Sequence, residues 1–179
     1  MSAQPMTAEP KFVPQPKAIW SPWDLLLVGF VVLVAVTATL MALRQYQHHR
    51  AIDRVVADLH SATLAFREYM RQYQMPPESA NFGEAPKGAG PFLSQLKWGE
   101  PTPVGGYYQW LGGPAKTPEP GGMMSGRIGI AAFPPAPPIS LSGADLLEID
   151  QRIDDGNLAA GDFRIGFNGW PILTVRAKP

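Results

Sequence analysis

Cysteine is absent from all 179 residues, which removes disulfide frameworks, thiolate metal sites and cysteine nucleophiles together. A charge excess is absent too. The 15 Lys and Arg residues face 15 Asp and Glu, so composition indicates no basic groove and no nucleic-acid partner. No pairing of a nucleophile with a base stands out, and no ligand spacing of a catalytic metal, so an enzyme is not expected. The remaining absences are local. Between Phe30 and Met75 there is neither Gly nor Pro, and Leu25 to Leu43 carries no charge. Nothing in the longer stretch breaks a helix, and nothing in the shorter one opposes burial in lipid.

Nineteen residues in a helix span about 28 Å, close to the roughly 30 Å of a bilayer's hydrocarbon layer. Residues 20–43 are therefore expected to cross a membrane once. The preceding residues 1–19 hold four Pro and two Lys without apolar periodicity and read as a disordered tail or leader. A cleaved secretory signal would place its basic residues first and a small-residue cut site after the apolar run, whereas Arg44, Gln45 and Tyr46 follow it here, so the run reads as a retained anchor. Lys11 and Lys17 precede the anchor, and Arg44, Arg50 and Arg54 follow it. By count alone this slightly favours a cytoplasmic C-terminal part.

Beyond Arg44 the pattern turns amphipathic. Ile52, Val55, Val56, Leu59, Ala62, Phe66, Met70 and Tyr73 recur at spacings of three and four, with Asp53, Arg54, Asp58, Arg67, Glu68 and Arg71 between them. That spacing predicts a continuation of the helix over 44–75 with one face buried against a partner layer. The whole helix is expected from Trp23 to Gln74, about 78 Å, and stopped by Pro76-Pro77. Residues 76–179 form a different territory. From Pro76 to Pro138, 25 of 63 residues are Pro or Gly, which suits short strands among turns. Strands are expected at Tyr107–Trp110 and Arg127–Phe133, pairing as a hairpin. A short helix opens with the box Ser142 to Asp145 and runs to about Ile153, with Gly156 near its end. Phe163–Phe167 and Trp170–Val175 flank Asn168-Gly169, a strong signal for a two-residue hairpin. The expected class is α+β, a long helix packed on a small antiparallel sheet.

At the start of the helix, Ser21 stands at the N-cap, Pro22 at the first helical position and Asp24 at the third, which suffices to begin a helix. The same segment carries a family likeness. Trp20-Ser21-Pro22-Trp23-Asp24-Leu25-Leu26-Leu27 resembles the mature start of type IV pilins and type II secretion pseudopilins, Phe-Thr-Leu-Ile-Glu-Leu, with Trp20 in the aromatic first place and Asp24 in the acidic one. The run from Phe66-Arg67-Glu68-Tyr69 to Pro76 is similar to the family's helix end. Pro103-Val104-Gly105-Gly106-Tyr107 is similar to a Pro-x-Gly-Gly-x-Tyr strand start. The stretch Ile149 to Leu158 followed by Gly161 looks like the closing segment of prepilin-like proteins. The chain departs from the family at Ile19, where the family's peptidase cuts after Gly.

The resemblance implies a non-catalytic subunit of a type II secretion or type IV pilus assembly, anchored in the bacterial inner membrane with its head in the periplasm. It implies three kinds of partner: the lipid bilayer, other pilin-like subunits in a homo- or hetero-oligomer, and the secretion or pilus machinery. Processing and assembly would centre on Ile19, Trp20 and Asp24. The alternative from another class is an uncleaved single-pass protein whose head binds a ligand or partner, for which Tyr107, Tyr108 and Trp110 are the aromatic candidates. No cofactor is expected. Asp150, Asp154 and Asp155 are candidates for calcium, which takes several oxygen ligands from a turning backbone, although Asx and Gly are also the ordinary vocabulary of turns. His48, His49 and His60 do not share one helical face and read as solvated or interfacial.

Overall fold

The structure, a computed structural model, describes residues 21–113, 124–166 and 169–177. The leader 1–19 lies outside these residues, and so do Trp20, Phe167 and Asn168. The architecture is α+β. One long N-terminal helix, α1 (Pro22–Tyr73), is followed by β1 (Tyr107–Gly112), β2 (Ser125–Ala131), α2 (Gly143–Ile153), β3 (Phe163–Ile165) and β4 (Pro171–Arg176). The chain divides into two compact units, one ending at Arg44 and the other beginning at Gln45, and α1 contributes to each.

In the first unit α1 starts where the sequence supplies its cap. The Ser21 hydroxyl accepts the Asp24 N–H at 3.3 Å, while the Asp24 carboxylate accepts the Ser21 N–H at 2.8 Å. Two of the helix's orphan donor groups are satisfied reciprocally in this way. Every residue from Ser21 to Arg44 is exposed. Two hydroxyls in this apolar stretch are turned back onto the helix, Thr37 to the Leu33 carbonyl at 2.7 Å and Thr39 to the Ala35 carbonyl at 2.8 Å. Their polarity is thereby hidden from an apolar surround.

In the second unit six residues of the stripe read from the sequence, Ile52, Val55, Leu59, Ala62, Phe66 and Met70, face the core, and Tyr69 joins them, while Val56 is half-buried and Tyr73 is exposed. The helix ends as Gln74 takes a left-handed conformation (φ 53°) and gives its N–H to the Met70 carbonyl at 2.9 Å. Pro76-Pro77 then prevents continuation. The four strands form one antiparallel sheet in the order β1-β2-β4-β3. The register sets Trp110, Ile128, Leu173 and Phe163 opposite one another in a row across all four strands. All four are buried, because alternate residues of a strand point to one face and that face meets the helix. Phe66 of α1 stacks on Trp110 at 3.8 Å between ring centroids, and Trp98 meets Phe66 edge-on at 5.4 Å.

The segment after α1 runs beside β1. Ala80 N–H reaches the Trp110 carbonyl at 3.1 Å and Gly83 N–H the Tyr108 carbonyl at 2.8 Å. The Trp110 indole N–H is held by the Pro77 carbonyl at 3.0 Å. Gly105 and Gly106 lead into β1 with φ of 88° and 70°, a conformation that side chains resist. A Cβ at Gly106 would also stand 2.7 Å from the Ala131 carbonyl oxygen. α2 carries the expected capping box, with Ser142 and Asp145 bonded to each other's backbone N–H at 2.8 and 3.2 Å.

Boundaries differ from expectation in four places. β1 runs two residues further, to Gly112. β2 lies two residues earlier, leaving Phe133 beyond the ladder. At the last hairpin β3 stops at Ile165 and β4 begins at Pro171, with the Gly166 N–H bonded to the Trp170 carbonyl at 2.7 Å; the expected turn residue Asn168 lies outside the described residues. The C-cap of α2 is Asp154, and Gly156 (φ 75°) stands two residues beyond it.

Candidate functional site

Asp24 is explained locally. Its carboxylate is occupied by the Ser21 N–H, and its position in the first turn suits the helix dipole. Leu25–Leu43 belongs to a helix that is long and apolar enough to cross a membrane, and none of that window is buried. Ile19 and Trp20 lie outside the described residues.

The aromatic candidates separate onto two faces. Tyr108 and Trp110, expected as a binding patch, are 4% and 0% exposed, so neither offers a surface. The period of two fixes them on one side of β1, and the helix covers that side. The Tyr108 hydroxyl donates to the Asp58 carboxylate at 3.1 Å. Burial lifts the Asp58 carboxyl above its ordinary range, against the hydrogen bond from Tyr108 and the charge of Arg54. Burial, followed by the charge of Asp58, pushes the Tyr108 hydroxyl far above its own range. Tyr107 is on the other face, in a chain of rings: Tyr107 to Phe82 at 6.2 Å, Phe82 to Phe133 at 5.6 Å, and Phe133 to Trp170 at 4.6 Å.

The histidines do not converge. The His48 Nε2 meets the Asp145 carboxylate at 2.9 Å, tying α1 to the first turn of α2. Desolvation pushes Asp145 up, but the Ser142 N–H, the His48 ring and the Ser142 hydroxyl outweigh it and hold the carboxyl below its usual range. A second tie, Arg152 to Asp53 at 2.8 Å, joins the other end of α2 to α1.

Asp150, Asp154 and Asp155 do come together. One carboxylate oxygen from each lies within 4.8 Å of the others. Their environments differ sharply. Asp155 is exposed and accepts the Asn157 N–H at 2.9 Å. Asp154 holds the start of β3, accepting the Phe163 N–H at 2.8 Å and the Asp162 N–H as well. Asp150 is wholly buried, and neither of its carboxylate oxygens has a hydrogen-bond partner. Desolvation, then the charges of Asp155 and Asp154, lifts its carboxyl above the usual range; the N–H groups of Gly156 and Asn157 oppose this from outside hydrogen-bonding geometry. The sequence held a signal for this burial. Leu146, Ile149, Asp150 and Ile153 share one face of α2 by spacing, so Asp150 falls on the apolar stripe. Neighbouring Asp162 is committed elsewhere, to Arg176 at 2.8 Å.

No family model, curated protein or solved structure matches the chain.

Proposed function

We propose that the chain is a non-catalytic, membrane-anchored subunit of pilin-like type, serving a type II secretion or type IV pilus assembly. The observation that carries this is that a single helix, α1, supplies both the exposed apolar segment Leu25–Leu43 and the buried stripe Ile52–Met70 of a small α+β head. In such an assembly the anchor is stored in the inner membrane, the head stands in the periplasm, and anchors pack on one another as subunits join. Gly29, Ala35, Thr37, Ala38 and Thr39 are the small residues that permit close helix approach. A Cβ placed at Gly29 would meet nothing within 4 Å, so that side of the helix is open to a neighbour.

A second reading is favoured by one specific feature, Ile19 in the position where the family is cut after Gly. Under it the chain stays uncleaved, and the surface rings around Tyr107 meet a partner. The intact mass of the native chain extracted from membranes tests the two. Loss of residues 1–19 with one added methyl group is the outcome expected of a pilin-class subunit. A full-length mass overturns processing and favours the permanently anchored protein.

A further inference from the structure

We infer that α1 carries, just past its apolar run, a seat for the phosphate of an anionic phospholipid, made by the Arg50 guanidinium over the Tyr46 ring. This deepens the membrane-anchor reading of α1 and rests on it. Tyr46 follows Leu43 by three residues, a helical rise of about 5 Å, and the polar headgroup layer is about 5–8 Å deep on each side of a bilayer. Tyr46 is 57% exposed, and an exposed tyrosine at this level is the amphipathic ring that favours the membrane interface. Arg50 lies one turn further on, yet its guanidinium carbon is 5.2 Å from the centroid of the Tyr46 ring. Side chains of a helix lean toward its N-terminus, which in α1 is toward the apolar run. The charge of Arg50 is thereby brought back to the level of the headgroups.

That charge is not neutralised within the chain. Among the described residues no carboxylate pairs with Arg50, or with Arg44, the first charged residue after the run. Asp53, three residues beyond Arg50, is held by Arg152 at 2.8 Å, and Asp145 by His48 at 2.9 Å. No Asp or Glu occurs between Asp24 and Asp53, so this stretch sets no opposing charge against a lipid phosphate. A guanidinium over an aromatic ring keeps its edge N–H groups free, and those donors match phosphate oxygens in pairs. Zwitterionic lipids offer the same phosphate, but their cationic group is repelled by the same arginine. One basic side chain near a lipid surface is enough for a preference of about fivefold.

The test reconstitutes the full chain into vesicles of equal parts phosphatidylglycerol and phosphatidylcholine, re-extracts it in a mild neutral detergent and counts retained lipid by native mass spectrometry. The expected result is a preference for phosphatidylglycerol of about fivefold or more, falling at about 0.5 M salt. Arg50→Gln should remove most of that preference. Tyr46→Leu should weaken it, whereas Tyr46→Phe, which keeps the ring beneath the guanidinium, should retain it. Arg71→Gln, near the other end of α1, should leave it unchanged. Equal retention of the two lipids by the wild type, or an undiminished preference in Arg50→Gln, would overturn the inference. Displacement of the lipid by millimolar inorganic phosphate would also overturn it, by showing a phosphate site that needs no bilayer. A chain washed off pure phosphatidylcholine vesicles by alkaline carbonate would refute the anchor and the inference together, whereas a chain that stays inserted without preferring phosphatidylglycerol refutes the inference alone.

Discussion

Gly126 of β2 lies beneath the ring of Trp110, and replacing it with Ala should be costly. An added Cβ would stand 2.2 and 2.4 Å from Cζ2 and Cη2 of that ring, so the indole must retreat by more than about 1 Å to reach ordinary van der Waals contact. It has little freedom to do so. Its N–H is bonded to the Pro77 carbonyl at 3.0 Å, and its ring is stacked on Phe66 at 3.8 Å. Overfilling a packed core costs about 1–3 kcal/mol, and displacement of the indole N–H adds about 1 kcal/mol. The expected loss is therefore about 2–4 kcal/mol, a fall in Tm of roughly 5–15 °C for a domain of this size. Gly129, three residues along the same strand, is the control. Its added Cβ would meet nothing nearer than the Pro171 carbonyl oxygen at 3.8 Å, and Gly129→Ala should be neutral or slightly stabilising. Near-UV circular dichroism of the full chain in detergent, followed through thermal unfolding, reports the tryptophan environment directly. If the two variants unfold within about 0.5 kcal/mol of each other, the indole is not pinned and the argument fails.

Three further outcomes follow from the same core and caps. Phe66→Ala removes the ring between Trp98 and Trp110 and should cost about 3–5 kcal/mol in urea unfolding; a loss below about 1 kcal/mol would show that the site collapses freely. Asp145 ionises more readily folded than unfolded, so its contribution is complete above about pH 4 and is lost as pH falls through the lower folded value. Asp145→Asn should flatten that acid limb of the stability profile, and an unchanged limb would assign it to other carboxylates. Asp24→Ala should cost about 1 kcal/mol of helix capping and leave membrane levels intact; loss of association between subunits at normal helix content would show that Asp24 pairs with a neighbour.

Helix ends were legible because their causes are local. Ser21, Pro22 and Asp24 start α1, Pro76 stops it, and Ser142 with Asp145 starts α2, so those boundaries fall within a residue or so of expectation. The strands were legible as segments, since Gly and Pro bracket them. Their partners and faces were not, because an alternation of two says that Tyr108 and Trp110 share a face without saying which face the helix covers. At the last hairpin β3 is shorter than its apolar segment suggests, since the ladder of β3 and β4 ends at Ile165 and Pro171. Asp150 was recognised as a candidate by composition, while its burial depended on the stripe formed with Leu146 and Ile149. The surface rings of Phe82, Phe133 and Trp170 come from three distant segments, and no local spacing links them to Tyr107.

The segment that follows α1 has a consequence for how heads can meet. Its N–H groups at Ala80 and Gly83 occupy carbonyls along the outer side of β1, and at the opposite side of the sheet β3 is only three residues long. Unpaired strand edges invite another chain to add itself by backbone hydrogen bonding, and here one edge is covered and the other is too short to template a ladder. In the proposed assembly, recognition between heads would then rest on side chains, which sequence can vary from one position to the next, while the sheet itself stays closed to indiscriminate growth.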